Sequence, residues 1–396
     1  MNSVANENQT RANIWRGIAL PMLALCALLS TCQTSSAQTF PQDTAQALNM
    51  ANFILSQEDS NGAISDAPGA GTANNDSNEE YALIGLAAAY SYSHNTSYLT
   101  GFENGIAWLA AREEMTDPTW TGSWYLQYSS TPPYNEIPVS GGTGTTNVRG
   151  VDATSALFVY LLYLDQRLTG SNALAQTYAS NAQAALNFII NHNLDTDGLS
   201  WSSWLYYSAP KQWELYQEKY SADQGDVYLG MHAGALLYGS STYASVASTL
   251  MTKTPVSIFN TSQKRYAIGM FADGTLDNST NGYSEGFAQG YLSWIWGNTT
   301  QNQEAIAWFR SKVGSNGSIV TKSGAPAYSL NVAMLGLGDN GLAAAAPVKS
   351  FTWLINNTYV SSNGGVYDSL RSGDKIEYDN VAGFCAASLF GFLPFD

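Results

Sequence analysis

Twelve stretches of the chain carry apolar residues at helical spacing, and they alternate between two kinds. In the first kind polar positions separate the apolar ones, as in AQALNMANFILSQ and QNQEAIAWFRSKV, so one face meets a core and the other meets water. These predict amphipathic helices near 41–57, 97–114, 171–192, 241–253, 300–313 and 343–357. In the second kind nearly every position is apolar and Ala and Gly are frequent, as in EEYALIGLAAAYSY and DNVAGFCAASLFGF. These predict helices buried on every side near 79–92, 151–168, 223–238, 283–297, 327–338 and 379–392.

The connections alternate too. A buried segment reaches the next amphipathic one through a short turn, at 94–96, 169–170 and 298–299. An amphipathic segment reaches its buried partner through a long stretch rich in Gly, Asn, Tyr and Trp: 58–78, 115–150, 193–222, 254–282, 314–326 and 358–378. Long loops of this length usually carry function. A weak repeat marks the start of four of them, in Ser60-Asn61-Gly62-Ala63-Ile64, Thr196-Asp197-Gly198-Leu199-Ser200, Ser315-Asn316-Gly317-Ser318-Ile319 and Ser362-Asn363-Gly364-Gly365-Val366. Six outer helices alternating with six inner ones, with long loops gathered at one end, predict an all-α, closed (α/α)6 toroid. It is expected to be one domain over 38–396. In this organisation the chain resembles the six-hairpin glycosidases and the terpenoid-cyclase and prenyltransferase toroids.

Composition narrows the partners. Sixteen Lys and Arg against 31 Asp and Glu give a net charge of −15, which repels phosphate backbones and excludes a basic nucleic-acid binder. An aromatic content of 12% with only 12% charged residues excludes disorder, since such a chain buries enough apolar surface to offset its entropy. Arg11 and Arg16 precede the apolar run 18–29 and the small residues Ser35, Ser36 and Ala37. That order predicts a secretory signal over 1–37, a mature chain starting at Gln38 and an extracellular, glycosylated product that leaves the membrane after cleavage. A lipidation signal at Leu29-Ser30-Thr31-Cys32 is the competing reading, and Thr before the Cys fits it poorly. Cys26 and Cys32 belong to the leader, so Cys385 alone is kept, and its apolar setting is that of a small buried hydrophobe. His94, His192 and His232 show no metal-ligand spacing. No metal, no cofactor and a monomeric state are therefore expected. Seven N-x-S/T sequons stand in the mature chain, at Asn75, Asn95, Asn260, Asn278, Asn298, Asn316 and Asn356.

Acids collect where the buried segments begin: Glu79 and Glu80, Asp152, Asp223 and Asp226, Glu285, and Asp379 beside Asn380. Asn331 stands at the remaining start. Such residues also serve as helix caps and complement the helix dipole, which is the alternative use for any one of them. If all six starts open on one crevice, however, carboxylates ring it. Glycoside hydrolysis needs two of them, one protonated and one ionised. Repulsion inside a partly buried bore supplies the difference in pKa. Glu285, between glycines, is expected to be the general acid, with Asp226 as base, Asp152 the competing base and Asp223 the i,i−3 neighbour of Asp226. Glu80 and Asp379 are expected to bind substrate. The aromatic loops place Trp120 and Trp124, and Trp201 and Trp204, among small polar residues, and together with Tyr283 they suit the faces of sugar rings. Trp294 and Trp296 read as core, and His232 as a hydrogen-bonded core histidine.

The expected activity is that of a secreted glycoside hydrolase on a neutral polysaccharide or oligosaccharide. The resemblance to six-hairpin glycosidases implies inversion of configuration. A lyase on uronic-acid polymers and a non-catalytic glycan-binding toroid are the alternatives on the same fold. A terpenoid cyclase is disfavoured, because Asp223-Gln224-Gly225-Asp226 lacks the density of acids that a DxDD or DDxxD motif requires.

Overall fold

The computed structural model describes residues 44–139, 144–282, 284–373 and 375–395. The leader at 1–37, the start at Gln38 and Tyr283 lie outside the described residues. Among the described residues thirteen α-helices follow one another along the chain. The first six are α1 (Thr44–Gln57), α2 (Asn78–Ser93), α3 (Thr96–Arg112), α4 (Asp152–Thr169), α5 (Ala173–Thr177) and α6 (Ala179–Phe188). Then come α7 (Ser221–Tyr238), α8 (Ser241–Ser257), α9 (Ser284–Trp296) and α10 (Thr300–Arg310). The last are α11 (Ser329–Gly341), α12 (Val348–Asn356) and α13 (Asp379–Leu389). The third amphipathic stretch is broken into α5, α6 and a π-helical turn over Ile189–Asn193, so twelve predicted segments become thirteen helices.

The two hydropathy patterns sort the helices into two rings. On α10 the buried positions are Asn302, Ala305, Ile306 and Phe309, a single stripe, whereas α2 is buried without interruption from Asn78 to Ala89. Helices α2, α4, α7, α9, α11 and α13 form the inner ring, and α13 packs back against α2 to close it. Three outer helices, α3, α8 and α10, are capped by side chains, Asn95 accepting from Ser97 N–H, Ser240 from Tyr243 and Thr299 from Asn302, whereas α5 and α12 are not. The N-cap residues of α2, α4, α7, α11 and α13 make no side-chain cap bond; the acids stand inside the first turn, where Asp152 and Asp379 each accept from the next residue's N–H. This is a six-hairpin (α/α)6 toroid.

Small residues set how closely inner helices approach. A Cβ on Gly85 of α2 would lie 2.5 Å from the Cα of Gly383 on α13. One on Gly230 of α7 would lie 2.3 Å from Ala156 O on α4, and one on Gly290 of α9 would lie 2.0 Å from Met334 O on α11. The ring is thus three tightly joined pairs, α2 with α13, α4 with α7 and α9 with α11. The long loops are less plain than predicted: Thr145–Arg149, Trp204–Ser208 and Lys211–Leu215 pair into an antiparallel sheet, and Glu218–Tyr220, Gly269–Phe271 and Leu276–Asp277 into another. The opposite end of the bore is closed by the chain's own tail. Phe392, Leu393 and Pro394 present carbonyls to Trp294 Nε1 at 2.7 Å, Arg167 Nη1 at 2.9 Å and Tyr160 OH at 3.0 Å. Trp294 is buried core, as its segment implies, while Trp296 is only half-buried. His232 sits in this seal, stacked on Tyr228 and edge-on to Phe395, rather than in a polar core. Cys385 is free and buried on α13, the small hydrophobe its setting predicts.

Candidate active site

At the long-loop end the inner ring surrounds a cavity of about 420 Å³. Its carboxylates are Asp76, Asp223 and Asp368; its amides are Asn75, Asn78 and Asn380. Its rings are Tyr81, Tyr220, Phe287, Tyr378 and Phe384. Among the described residues no Lys, Arg or His lines it.

Backbone geometry aims Asp76 into the cavity. In the turn before α2, Asn74, Asp76 and Ser77 all have left-handed φ, at 52°, 56° and 67°. Such conformations are costly for non-glycine residues and cluster where function holds them. The turn is pinned by Asp66, whose Oδ1 accepts from Asn75 N–H at 2.9 Å and Asn78 Nδ2 at 3.2 Å. Asp66 also offers its carbonyl to Asp379 N–H at 3.1 Å, and Asn380 donates to Asn78 at 2.6 Å, so the same residues knit α2 to α13 where the ring closes. Asp76 is ringed by protein yet open to the cavity, and the lost solvent raises its pKa.

Asp223 faces the same space from the first turn of α7. Burial, then the nearby charge of Asp76, push it up to about 7, against a hydrogen bond from Ser202 that favours the charged form. It therefore still carries its proton in mildly acidic water, where an ordinary aspartic acid has lost it. Asp226 lies one turn deeper on α7, fully buried, and accepts from Tyr81 OH at 2.9 Å and Tyr291 OH at 2.6 Å. Asp152 is also buried, accepts from Ala153 N–H at 2.8 Å, and is raised by burial and by Asp223.

The predicted residues part company here. Asp223 stands at the cavity wall, with Asp226 and Asp152 behind it. Glu285 does not line the cavity: it is buried on α9 with Oε1 3.1 Å from Arg265 Nη1, so burial raises its pKa while the guanidinium pulls it down. Burial outweighs the guanidinium, so its pKa ends raised, but its carboxyl faces Arg265 and not the cavity, and this corrects the expected role. Glu80 is buried behind the turn, where burial takes it to about 8 despite a bond from Asn74. Asp379 is buried at the α13 start, accepting from Asn380 N–H at 2.7 Å. Neither meets the cavity.

The four tryptophans also lie elsewhere, and the reason is packing. Trp124 is fully buried and donates to Leu109 O at 2.9 Å. Trp120 packs under Arg149 and against Trp204 and Trp213; Trp201 lies beneath Lys219, and Trp204 Nε1 reaches Asn193. They serve as lids on the hairpin ends. The aromatic wall is made of Tyr and Phe instead. A usable signal was present: Tyr immediately precedes four inner helices, as Tyr220, Tyr283, Tyr328 and Tyr378, and two of these line the cavity. Asp76, by contrast, carried no such signal, because a left-handed turn of non-glycine residues leaves no mark in composition.

Comparisons with known proteins agree with this architecture. No protein-family model matches the sequence, and no curated protein sequence matches it. Solved structures do match in fold. A D-mannose isomerase superposes with a TM-score of 0.62 at 11% identity, covering 91% of this chain and 99% of the other. The unsaturated glucuronyl hydrolase of Bacillus sp. GL1 gives 0.58 at 12% identity, covering 88% and 95%. An α-1,6-mannanase of Salegentibacter sp. HEL1_6, in complex with α-1,6-mannotriose, gives 0.56 at 11%, covering 88% and 98%. This chain shares the fold of these sugar-handling enzymes. At such identity the likeness carries architecture alone.

The buried acids have a consequence for stability. Glu80 and Glu113 are raised to about 8 by burial, and Glu79, Asp152, Asp226 and Asp379 are raised as well. Their folded pKa values exceed the unfolded ones, so the native state holds protons that the unfolded chain has released. The resulting stability is complete below about pH 4 and is lost as pH rises through about 8, where Glu80 and Glu113 release their protons. Glu114, lowered to about 2 by hydrogen bonds from Thr116 and Asp117 and by Arg149, works the other way, below pH 4, and Asp195 and Asp273 are lowered too. Thermal unfolding is expected to shift down by roughly 10 °C between pH 5 and pH 9. A melting temperature that climbs over that range contradicts the protonated core.

Proposed function

We propose that this is a secreted glycoside hydrolase that cleaves a neutral polysaccharide or oligosaccharide in the cavity at the long-loop end. The observation that carries this is the pairing of Asp76 and Asp223 on one cavity, with Asp223 held protonated near neutrality by burial and by its neighbour. Asp223 donates the proton to the glycosidic oxygen, so the leaving sugar departs as an alcohol. Asp76, in the open part of the cavity, takes a proton from water as that water attacks the anomeric carbon, which gives inversion. Tyr81, Tyr220, Phe287, Tyr378 and Phe384 offer rings for the apolar faces of the sugar, and Asn75, Asn78 and Asn380 hydrogen-bond its hydroxyls.

The lining supports a neutral substrate. A uronate brought beside three aspartates needs a cation. Lys219 is tied to Asp195 and Asp197, both at 2.6 Å, Arg265 to Glu285 and Arg149 to Glu114. The same lack of a neutralising group disfavours a uronate lyase. The monomeric state and the sugar ligand are parts of the same proposal.

The test expresses the full chain, recovers it from the medium, reads its first residue by mass spectrometry and incubates it with mannans, glucans, galactans and uronic-acid polymers. The expected result is a chain starting at Gln38 that releases reducing ends from a neutral glycan. Retention on the cells with an intact Arg16 counts against secretion. Release of unsaturated uronates, isomerisation of free mannose, or tight glycan binding without cleavage each defeats the hydrolase reading.

A further inference from the structure

Asp226 is too deep to touch a sugar, yet it occupies a singular place in the ring. Its two oxygens accept from Tyr81 of α2 and Tyr291 of α9, while it stands itself on α7. Those three helices belong to the three different tightly joined pairs. The cavity is assembled from the same three pairs: Asn78 and Phe384 come from the first, Ala153 and Asp223 from the second, Ser284 and Phe287 from the third. Within a pair, Gly85, Gly230 and Gly290 press on the partner's backbone; between pairs, Gly225 and Gly336 meet only side chains, nearest those of Ile295 and Ser388, and the inner helices pack less closely. The knot sits directly under the cavity floor, where Tyr81 packs on Phe384 at 4.6 Å and Tyr291 on Phe287 at 5.0 Å between ring centres.

We infer that Asp226 is a positioning residue, the central tie that holds the three helix pairs at the spacing that sets Asp76 against Asp223. The inference rests on the proposed roles of those two acids only for its effect on turnover; the tie itself is independent of them. The two hydroxyl donors belong to rings on different pairs that meet edge-on at 6.1 Å between centres, so loss of either weakens the tie to one pair. Asp223 is faced by Asp76 from the turn before α2, Asp152 from α4, Glu218 from the adjoining strand and Asp226 from its own helix. Of these only Asp76 is carried by the α2 pair, so slackening the knot weakens chiefly that repulsion and lets Asp223 ionise more readily.

The experiment uses Tyr291→Phe, which removes a donor from a ring that does not line the cavity, with Tyr81→Phe and Asp226→Asn beside it. Asp223 is titrated by carbon NMR of the carboxyl in the full chain, and turnover is measured on the best neutral glycan. The expected result for Tyr291→Phe is an Asp223 midpoint lower by about half a pH unit or more. Its kcat should fall about tenfold, of the size expected for loss of one coupling contact. The unfolding costs of Tyr81→Phe and Asp226→Asn should also fall short of adding in the double variant. An unmoved Asp223 titration in a variant whose melting temperature has dropped overturns the inference, since the hydroxyl is then only packing. So does an Asp226→Asn protein that loses turnover completely while Tyr291→Phe keeps both its rate and its titration, since Asp226 then acts on the substrate. If wild-type protein cleaves no glycan, the hydrolase reading fails, and the titration and the unfolding cycle still decide the tie.

Discussion

Asp223→Asn is expected to lower kcat by about 10²–10⁴-fold on the glycan the wild type cleaves best, with little change in folding. The amide has the shape of the acid and sits at a position half open to the cavity, but it has no proton to give the departing oxygen. The wild-type rate should in turn fall as pH rises through about 7, where Asp223 loses its proton. Asp76→Asn is expected to damage the opposite limb, because an amide cannot accept a proton from attacking water. Initial rates against pH for the three proteins settle the assignment. If Asp223→Asn retains a third or more of wild-type turnover, or if the wild-type rate continues to climb above pH 8, another group is the acid. Glu285→Gln in the same series is expected to act through stability, since it leaves Arg265 buried beside an uncharged amide.

Gly364→Ala should be among the most destabilising single-methyl additions in the molecule, costing about 3–5 kcal/mol and roughly 6–10 °C in melting temperature. Gly364 has φ +93°, and a Cβ there would lie 2.1 Å from Asn49 O on α1. The same latch recurs around the ring: Gly62 meets Asn104 O at 2.3 Å, Gly122 meets Ala184 O at 2.1 Å and Gly317 meets Lys349 O at 2.4 Å. Each glycine presses its bare backbone on the next outer helix, and Gly364 joins the last hairpin to the first. The backbone cannot give way there as a flexible side chain can. Gly324→Ala is the control, with φ +79° and nothing within 4 Å, so it carries only the conformational strain of about 1 kcal/mol. Equal melting shifts for the two variants refute the latch.

The alternation of striped and wholly apolar segments carried the fold a long way. The predicted buried segments opening at 79, 151 and 379 start within a residue of α2, α4 and α13, and the one opening at 327 within two of α11. Three glycines of the Asn-Gly and Asp-Gly repeat, Gly62, Gly317 and Gly364, are latches between the stacked units it predicts, while Gly198 meets only the Thr249 side chain. The site was legible in part. Asp223 lines the cavity, as an acid at an inner-helix start should, because those starts meet at the mouth of the bore. Glu285 was misplaced by the same rule, since a helix start fixes height along the bore but not the direction in which the side chain faces. Trp120, Trp124, Trp201 and Trp204 were misread because a large ring between polar neighbours suits a lid and a sugar platform equally well.

What the sequence determined by itself is whatever repeats along one dimension: the period of buried positions, the rhythm of long and short connections, and the glycines a crowded backbone requires. These follow from local geometry and from the need to keep apolar surface out of water. What only the tertiary structure decided is whatever depends on directions across the bore. Asp76 reaches the cavity through a left-handed turn held by Asp66, Asp226 is held between tyrosines from two other helix pairs, and Glu285 is turned toward Arg265. A carboxylate's proton affinity is set by the neighbours and solvent that folding places around it, and those neighbours come from residues up to hundreds of positions away in the chain.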